Sequence, residues 1–231
     1  MKLKRILSAT LLACGIATSA QAALVEGQDY VTLTKPLPQQ DANKIEVAEF
    51  FGYFCVHCYH LNPVLFKHAK AWSSDTYLRP IHVVWQPEMH GLARISAAVN
   101  ASGLKYSADP AIFQAVYEEK QNLADEATFK AWAAKQTSFD SKKLLAAYDS
   151  FANQSQAKQM ADLTAQYNIE GTPTIIVGGK YKMNLSGDWQ ITMKKVDEMI
   201  AKVRAERGMK AVAPKAAARS RGASIAKAAN R

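Results

Sequence analysis

Cys55-Val56-His57-Cys58 sets two thiols two residues apart, a spacing that can close a disulfide at a helix start and reopen it by exchange. That favours redox chemistry over a structural staple. Cys55 would stand at the N-terminus of the following helix, where free backbone N–H groups and the helix dipole favour a thiolate. His57 can add positive charge or a hydrogen bond to the same sulfur. Cys58, behind it, would be the resolving thiol. The competing readings are a structural disulfide or half of a zinc site, and no second CxxC supplies the other half. His60 could extend a ligand set with Cys58 but reads more simply as a polar residue of the helix surface. No metal and no separate cofactor is expected, because the Cys55-Cys58 disulfide would itself be the redox centre.

The elements that must position this pair follow from periodicity. Ile45 to Phe51 reads as an interior strand running straight into Gly52 and the cysteines. Val56 to Trp72 has helical spacing, with Leu61, Val64, Leu65, Phe66, Ala69 and Trp72 available for burial and Pro63 expected to kink it. Tyr77 to Trp85 supplies the next strand, and strand-helix-strand order implies a parallel pair with a right-handed crossover. A short strand is expected earlier, at Tyr30 to Thr34. Between Gly91 and Tyr167 only helices are expected. Asp109-Pro110 reads as a cap opening Ala111 to Lys120, Asp125 or Glu126 opens Ala127 to Lys135, Asp140 or Ser141 opens Lys142 to Tyr148, and Asn153 to Tyr167 follows. Thr174 to Val177 and Lys180 to Met183 make a hairpin around Gly178-Gly179, and Thr192 to Arg207 closes the chain as an amphipathic helix. The result is one α/β domain interrupted by a helical block.

Compartment and charge narrow the function. Lys2, Lys4 and Arg5 precede the apolar stretch Ile6 to Ala17, and Ala20-Gln21-Ala22 supplies a cleavage site, so residues 1–22 read as a secretory signal with export to an oxidising space. Leu11-Leu12-Ala13-Cys14 is an alternative lipidation site that would tether the protein through Cys14. The net charge of +9 belongs to the ends: three basic residues in the signal and seven from Arg207 to Arg231. Removing those ten from 29 leaves 19 basic against 20 acidic residues in the body, a net of −1, so nucleic acid is not an expected partner. The stretch 208–231 reads as a basic disordered tail.

Glu49-Phe50-Phe51-Gly52-Tyr53-Phe54-Cys55-Val56-His57-Cys58, with Pro63, the helical insert and Gly171-Thr172-Pro173-Thr174 before a hairpin, resembles the DsbA family of periplasmic thiol oxidases in the thioredoxin superfamily. The resemblance spans Leu24 to Glu206. It implies a thioredoxin fold (23–90 and 168–207) with an inserted all-helical domain (91–167), and a cis proline at Pro173 facing the cysteines. It implies oxidation of exported proteins with free thiols and reoxidation by a DsbB-like membrane quinone reductase. It also implies that Glu49 is a buried carboxylate handling the Cys58 proton, against the plainer reading of an acid reaching solvent at the sheet edge.

Two departures bear on redox poise: Val56 stands where the family more often has proline, and Thr172 where valine is common before the cis proline. A reductase or isomerase using the same cysteines is therefore an open alternative. So is a noncatalytic peptide-binding chaperone, with Tyr53, Phe54, Met89 and the Thr172-Pro173 edge lining a groove. The short mature segment before the first long strand leaves no room for an isomerase's dimerisation domain, so a monomer is expected. His68, His82 and His90 carry no signal.

Overall fold

The computed structural model describes residues 23–210, so the signal segment, Cys14 and most of the basic tail lie outside the described residues. The chain runs β1 (Tyr30–Thr32), β2 (Ile45–Phe51), α1 (Val56–Ala71), β3 (Thr76–His82), a 3-10 turn (Pro87–Met89), α2 (His90–Ser102) and α3 (Lys105–Tyr117). It continues through α4 (Glu126–Ala133), α5 (Ser141–Tyr148), α6 (Phe151–Gln166), β4 (Thr174–Val177), β5 (Tyr181–Met183) and α7 (Trp189–Glu206).

The five strands lie in the order β1-β5-β4-β2-β3, with β2 and β3 parallel and the other pairs antiparallel. Every residue of β2 is buried, as its apolar run requires of a strand covered on both faces. Alternation splits its side chains. Ile45 and Val47 pack with Leu61, Leu65, Phe66 of α1 and Met193, Val196, Ile200 of α7. Ala48 and Phe50 pack on the opposite side with Ala93 and Ala97 of α2 and Met160 and Leu163 of α6. A third cluster joins Phe51, Tyr53 and the cysteines to α2, α3, α4 and α5. Full burial of one such Leu or Phe contributes about 1.5–3 kcal/mol, so these clusters fix the cysteine loop between sheet and helices.

Local signals explain most boundaries. Asp125, Asp140 and Asp188 cap α4, α5 and α7 by accepting from backbone N–H groups in the first turn. Gly178 and Gly179 both have positive φ, and a Cβ on Gly179 would lie 2.4 Å from the Leu37 carbonyl oxygen, so the hairpin needs glycine there. Helix α1 runs through Pro63, which lies on its exposed side.

Residues 90–102 add one helix to those named from the sequence, α2, whose Leu92, Ala93, Ile95, Ala97, Ala98 and Val99 are buried. One expectation is corrected. Asp109-Pro110 does not open a helix: α3 begins at Lys105, and Asp109 is buried inside it. The cap signature misleads because Asp109 is held by tertiary contact, described below.

β3 is an edge strand, and its edge is occupied. Lys105 Nζ donates to the Leu78 carbonyl at 2.6 Å, and Asn100 Nδ2 donates to the Pro80 carbonyl at 2.9 Å.

Candidate active site

Cys55 is the N-cap of α1, with extended backbone, and its sulfur accepts from the Cys58 backbone N–H at 3.3 Å. β4 begins antiparallel to β2 with Phe50 opposite Thr174, which carries the preceding residues Thr172-Pro173 to the loop after β2. The Thr172-Pro173 bond is cis. The Thr172 carbonyl oxygen lies 3.3 Å from Cys55 Sγ and accepts from the neutral thiol. The two cysteines are not joined by a disulfide in this structure.

The two sulfurs differ in proton affinity. The Cys58 thiol donates to the Cys55 sulfur, and with the Thr172 side-chain hydroxyl and the backbone N–H groups of Cys58 and His57 it lowers the Cys55 pKa to about 5, against an opposing cost of burial. Cys58 is fully buried, and burial first, then the Cys55 sulfur and Glu49, push its thiol far above the usual range. Cys55 is thus a thiolate at neutral pH and Cys58 a thiol.

Beneath them, Glu49 is 4% exposed. It sits on β2 between β3 and β4, paired with Pro80 and Ile175, which overturns the reading of an acid reaching solvent at the sheet edge. Burial, then the nearby Asp109 and Cys55, raise its pKa to about 8, so at neutral pH it holds a proton. His82 is fully buried with one ring nitrogen 2.8 Å from the Val83 carbonyl and Nε2 accepting from the Tyr53 N–H at 3.1 Å. Burial lowers its pKa to about 3, so the ring is neutral and acts as an acceptor fixing the turn before Cys55.

The structure assembles Cys55, Cys58, Glu49, Thr172 and Pro173, but sorts the other named residues differently. Tyr53 is 0% exposed and cannot line an open groove; its hydroxyl is spent inside the protein. Phe54 is half-buried, with its ring against His82 and the exposed Trp85. Met89 ends the 3-10 turn, half-buried. The His57 ring is exposed and lies 6.3 Å from the Trp189 ring, while its backbone N–H serves the Cys55 sulfur. Sequence reasoning missed His82, Asp109 and Trp85. A lone histidine at a strand end and an aspartate before proline carry no local mark of burial, and only the tertiary packing reveals them. Among the described residues no group of three His, Cys, Asp or Glu is arranged to hold a metal ion.

A sulfur ionised at neutral pH beside one that is not is the working pair of thiol–disulfide exchange, and on this sheet it makes the chain a thioredoxin-fold thiol:disulfide oxidoreductase. Comparison with known proteins agrees. A family model described as DSBA-like thioredoxin domain matches residues 46–196. A thiol:disulfide interchange protein DsbA from Burkholderia cepacia is 34% identical over 185 residues, spanning 78% of this chain and 87% of its own length. The crystal structure of reduced DsbA1 from Neisseria meningitidis matches with a TM-score of 0.78 and 51% identity over 81% of this chain and 99% of that one. The oxidoreductase NmDsbA3 from the same organism matches at 0.72 and 55% identity over 80% and 100%. The chain belongs to the DSBA-like thioredoxin domain family.

Proposed function

We propose that this protein is a periplasmic disulfide oxidase that gives its Cys55-Cys58 disulfide to exported proteins carrying free thiols. A substrate thiolate attacks Cys55 Sγ, the Cys55–Cys58 bond breaks, and Cys58 leaves and takes up a proton from Glu49. A second substrate thiolate then attacks the substrate sulfur of the mixed disulfide, and Cys55 leaves as a thiolate. Two electrons pass from substrate to the cysteine pair, and a DsbB-like membrane quinone reductase would remove them.

The observation that carries this reading is the unequal proton affinity of the two sulfurs, since a leaving group stable as a thiolate drives the disulfide toward its reduced form. Thr172 and Pro173 would present the edge on which substrate backbone lies, with Phe54 and Met89 as apolar contacts. The chain would work as a monomer without nucleic acid, with 91–167 inserted into a thioredoxin-like domain formed by 23–90 and 168–207. Export rests on residues 1–22; among the described residues no helix is long and apolar enough to cross a membrane.

Equilibration with reduced and oxidised glutathione tests the direction of flow. The oxidised protein is expected to be reduced by a glutathione pool that leaves an ordinary structural disulfide intact. A pair that stays oxidised under those conditions marks a reductase or isomerase instead.

His57 would act through the field of its ring. His57→Ser keeps the backbone N–H and removes the imidazole, and it is expected to raise the Cys55 pKa by about one unit and make the protein less oxidising. Thiolate absorbance at 240 nm, roughly, followed against pH reads this directly; an unchanged titration would confine His57 to its backbone.

A further inference from the structure

Glu49 is not the only carboxylate enclosed near the thiols. Asp109 of α3 is 3% exposed, and the wholly buried Tyr53, two residues before Cys55, donates its hydroxyl to Asp109 Oδ1 at 2.5 Å. Lys105, one helical turn earlier, faces Asp109 and is anchored to the Leu78 carbonyl. Leu78 and Pro80 stand opposite Val47 and Glu49 in the β2–β3 register, so the Lys105–Asp109 ridge is tied to the strand pair that carries Glu49. Phe113, a turn beyond Asp109, packs on Tyr53 at 5.2 Å and Phe51 at 6.1 Å between ring centres, which brings α3 against the cysteine loop.

Burying a carboxylate costs several kcal/mol unless its charge is used or paired, and an asparagine could accept the Tyr53 hydrogen bond without that cost. The charge of Asp109 raises the proton affinity of Glu49, so ionising both together is disfavoured. Burial lifts Asp109 itself to about 7, but Tyr53, which donates to it, and the positive charge of Lys105 hold it below Glu49, so Asp109 is the member favoured as the anion.

We propose that Asp109 is a positioning residue for the proton that Cys58 takes up: its carboxylate, fixed by Tyr53, keeps that proton on Glu49 until the sulfur leaves. This rests on Glu49 being the donor to Cys58. As substrate thiolate opens the disulfide, Glu49 gives its proton to the departing Cys58 sulfur and becomes a carboxylate, so charge and proton balance within the site. The reverse transfer accompanies reoxidation. The charged and titratable groups around Asp109 are Glu49 of β2, Tyr53 of the loop, Lys105 of its own helix and, beyond Glu49, the sulfurs of α1; His82 of β3 is held neutral.

Asp109→Asn keeps an acceptor for Tyr53 and removes the charge. Glu49 is then expected to lose its proton about one pH unit lower or more, read as the pH midpoint of the infrared C=O band of the protonated buried carboxyl. The pH at which disulfide opening by a small thiol slows, corrected for thiolate concentration, should fall with it. Tyr53→Phe should shift both in the same direction by less, because Asp109 without its donor protonates more readily. Glu49→Gln should remove the band and the midpoint altogether. If Glu49→Gln leaves the pH profile intact, the role of Glu49 fails. If it removes the midpoint while Asp109→Asn and Tyr53→Phe leave it at the wild-type value, the inference about Asp109 is overturned and Glu49 stands. Should Asp109→Asn not fold, Tyr53→Phe and the wild-type band decide: a shifted midpoint in Tyr53→Phe supports coupling, and an unshifted one refutes it.

Discussion

The reduced protein is expected to resist denaturant better than the oxidised protein at pH 7 and above, with the order reversing in acid. In the folded reduced form Cys55 titrates near 5, against about 9 when unfolded. A depressed pKa contributes stability that is complete above the unfolded value and is lost as pH falls toward the folded one. At pH 7 this amounts to about 3 kcal/mol, an upper figure because water reaches one side of the sulfur. Against it stands the disulfide's restriction of the unfolded chain, which for so short a loop is about 2 kcal/mol. The two terms cross between about pH 6 and 7, so the gap should widen toward pH 9 and be reversed by pH 5. Glu49 and Asp109 are present in both forms and cancel to first order. Urea titrations of both forms at pH 5, 7 and 8.5, roughly, check this. An oxidised form that is more stable throughout would remove the thermodynamic basis for oxidase activity.

Gly91→Ala is expected to be the most damaging substitution of a glycine outside the cysteine loop. Gly91 lies in the first turn of α2, and a Cβ there would stand 2.1 Å from the Ala124 carbonyl oxygen. Alanine favours the helix by about 1 kcal/mol, but that contact is backbone against backbone and cannot be relieved by a rotamer change. Separating α2 from the 123–125 segment would disturb Leu92 and Leu123, both in the cluster that holds the cysteines. A net loss of about 2–4 kcal/mol is expected, with the midpoint of thermal unfolding lowered by roughly 5–15 °C. Calorimetry on the reduced form measures it, and an unchanged midpoint would show that the 123–125 segment yields freely.

Much of the working centre was legible because its signals are local. The cysteine spacing, the run of apolar residues into Gly52 and the Gly178-Gly179 turn each act within a few residues, and the structure places them as their chemistry requires. What could not be read was set at long range. Asp109-Pro110 has the form of a helix start, but Tyr53, 56 positions earlier, holds the aspartate inside α3. Tyr53 reads as an aromatic available to a groove because nothing nearby says that Phe51, Phe113 and His82 surround its ring. Burial of Glu49 was undecided from sequence, since one acid in an apolar strand fits an edge as well as an interior; the strand order decides it.

The closing of β3 by Lys105 and Asn100 bears on the company this enzyme keeps. An oxidase of exported chains meets them extended and incompletely folded, with backbone groups seeking partners. A bare sheet margin would enlist such chains as additional strands and hold them where no chemistry occurs. Here one margin has its Leu78 and Pro80 carbonyls engaged by side chains of α2 and α3, and Pro80 offers no N–H; the other margin is the three-residue β1. Extended polypeptide thus finds two outward carbonyls of β3 already engaged and β1 too short to template a long partner, which disfavours strand addition and the aggregation that follows from it.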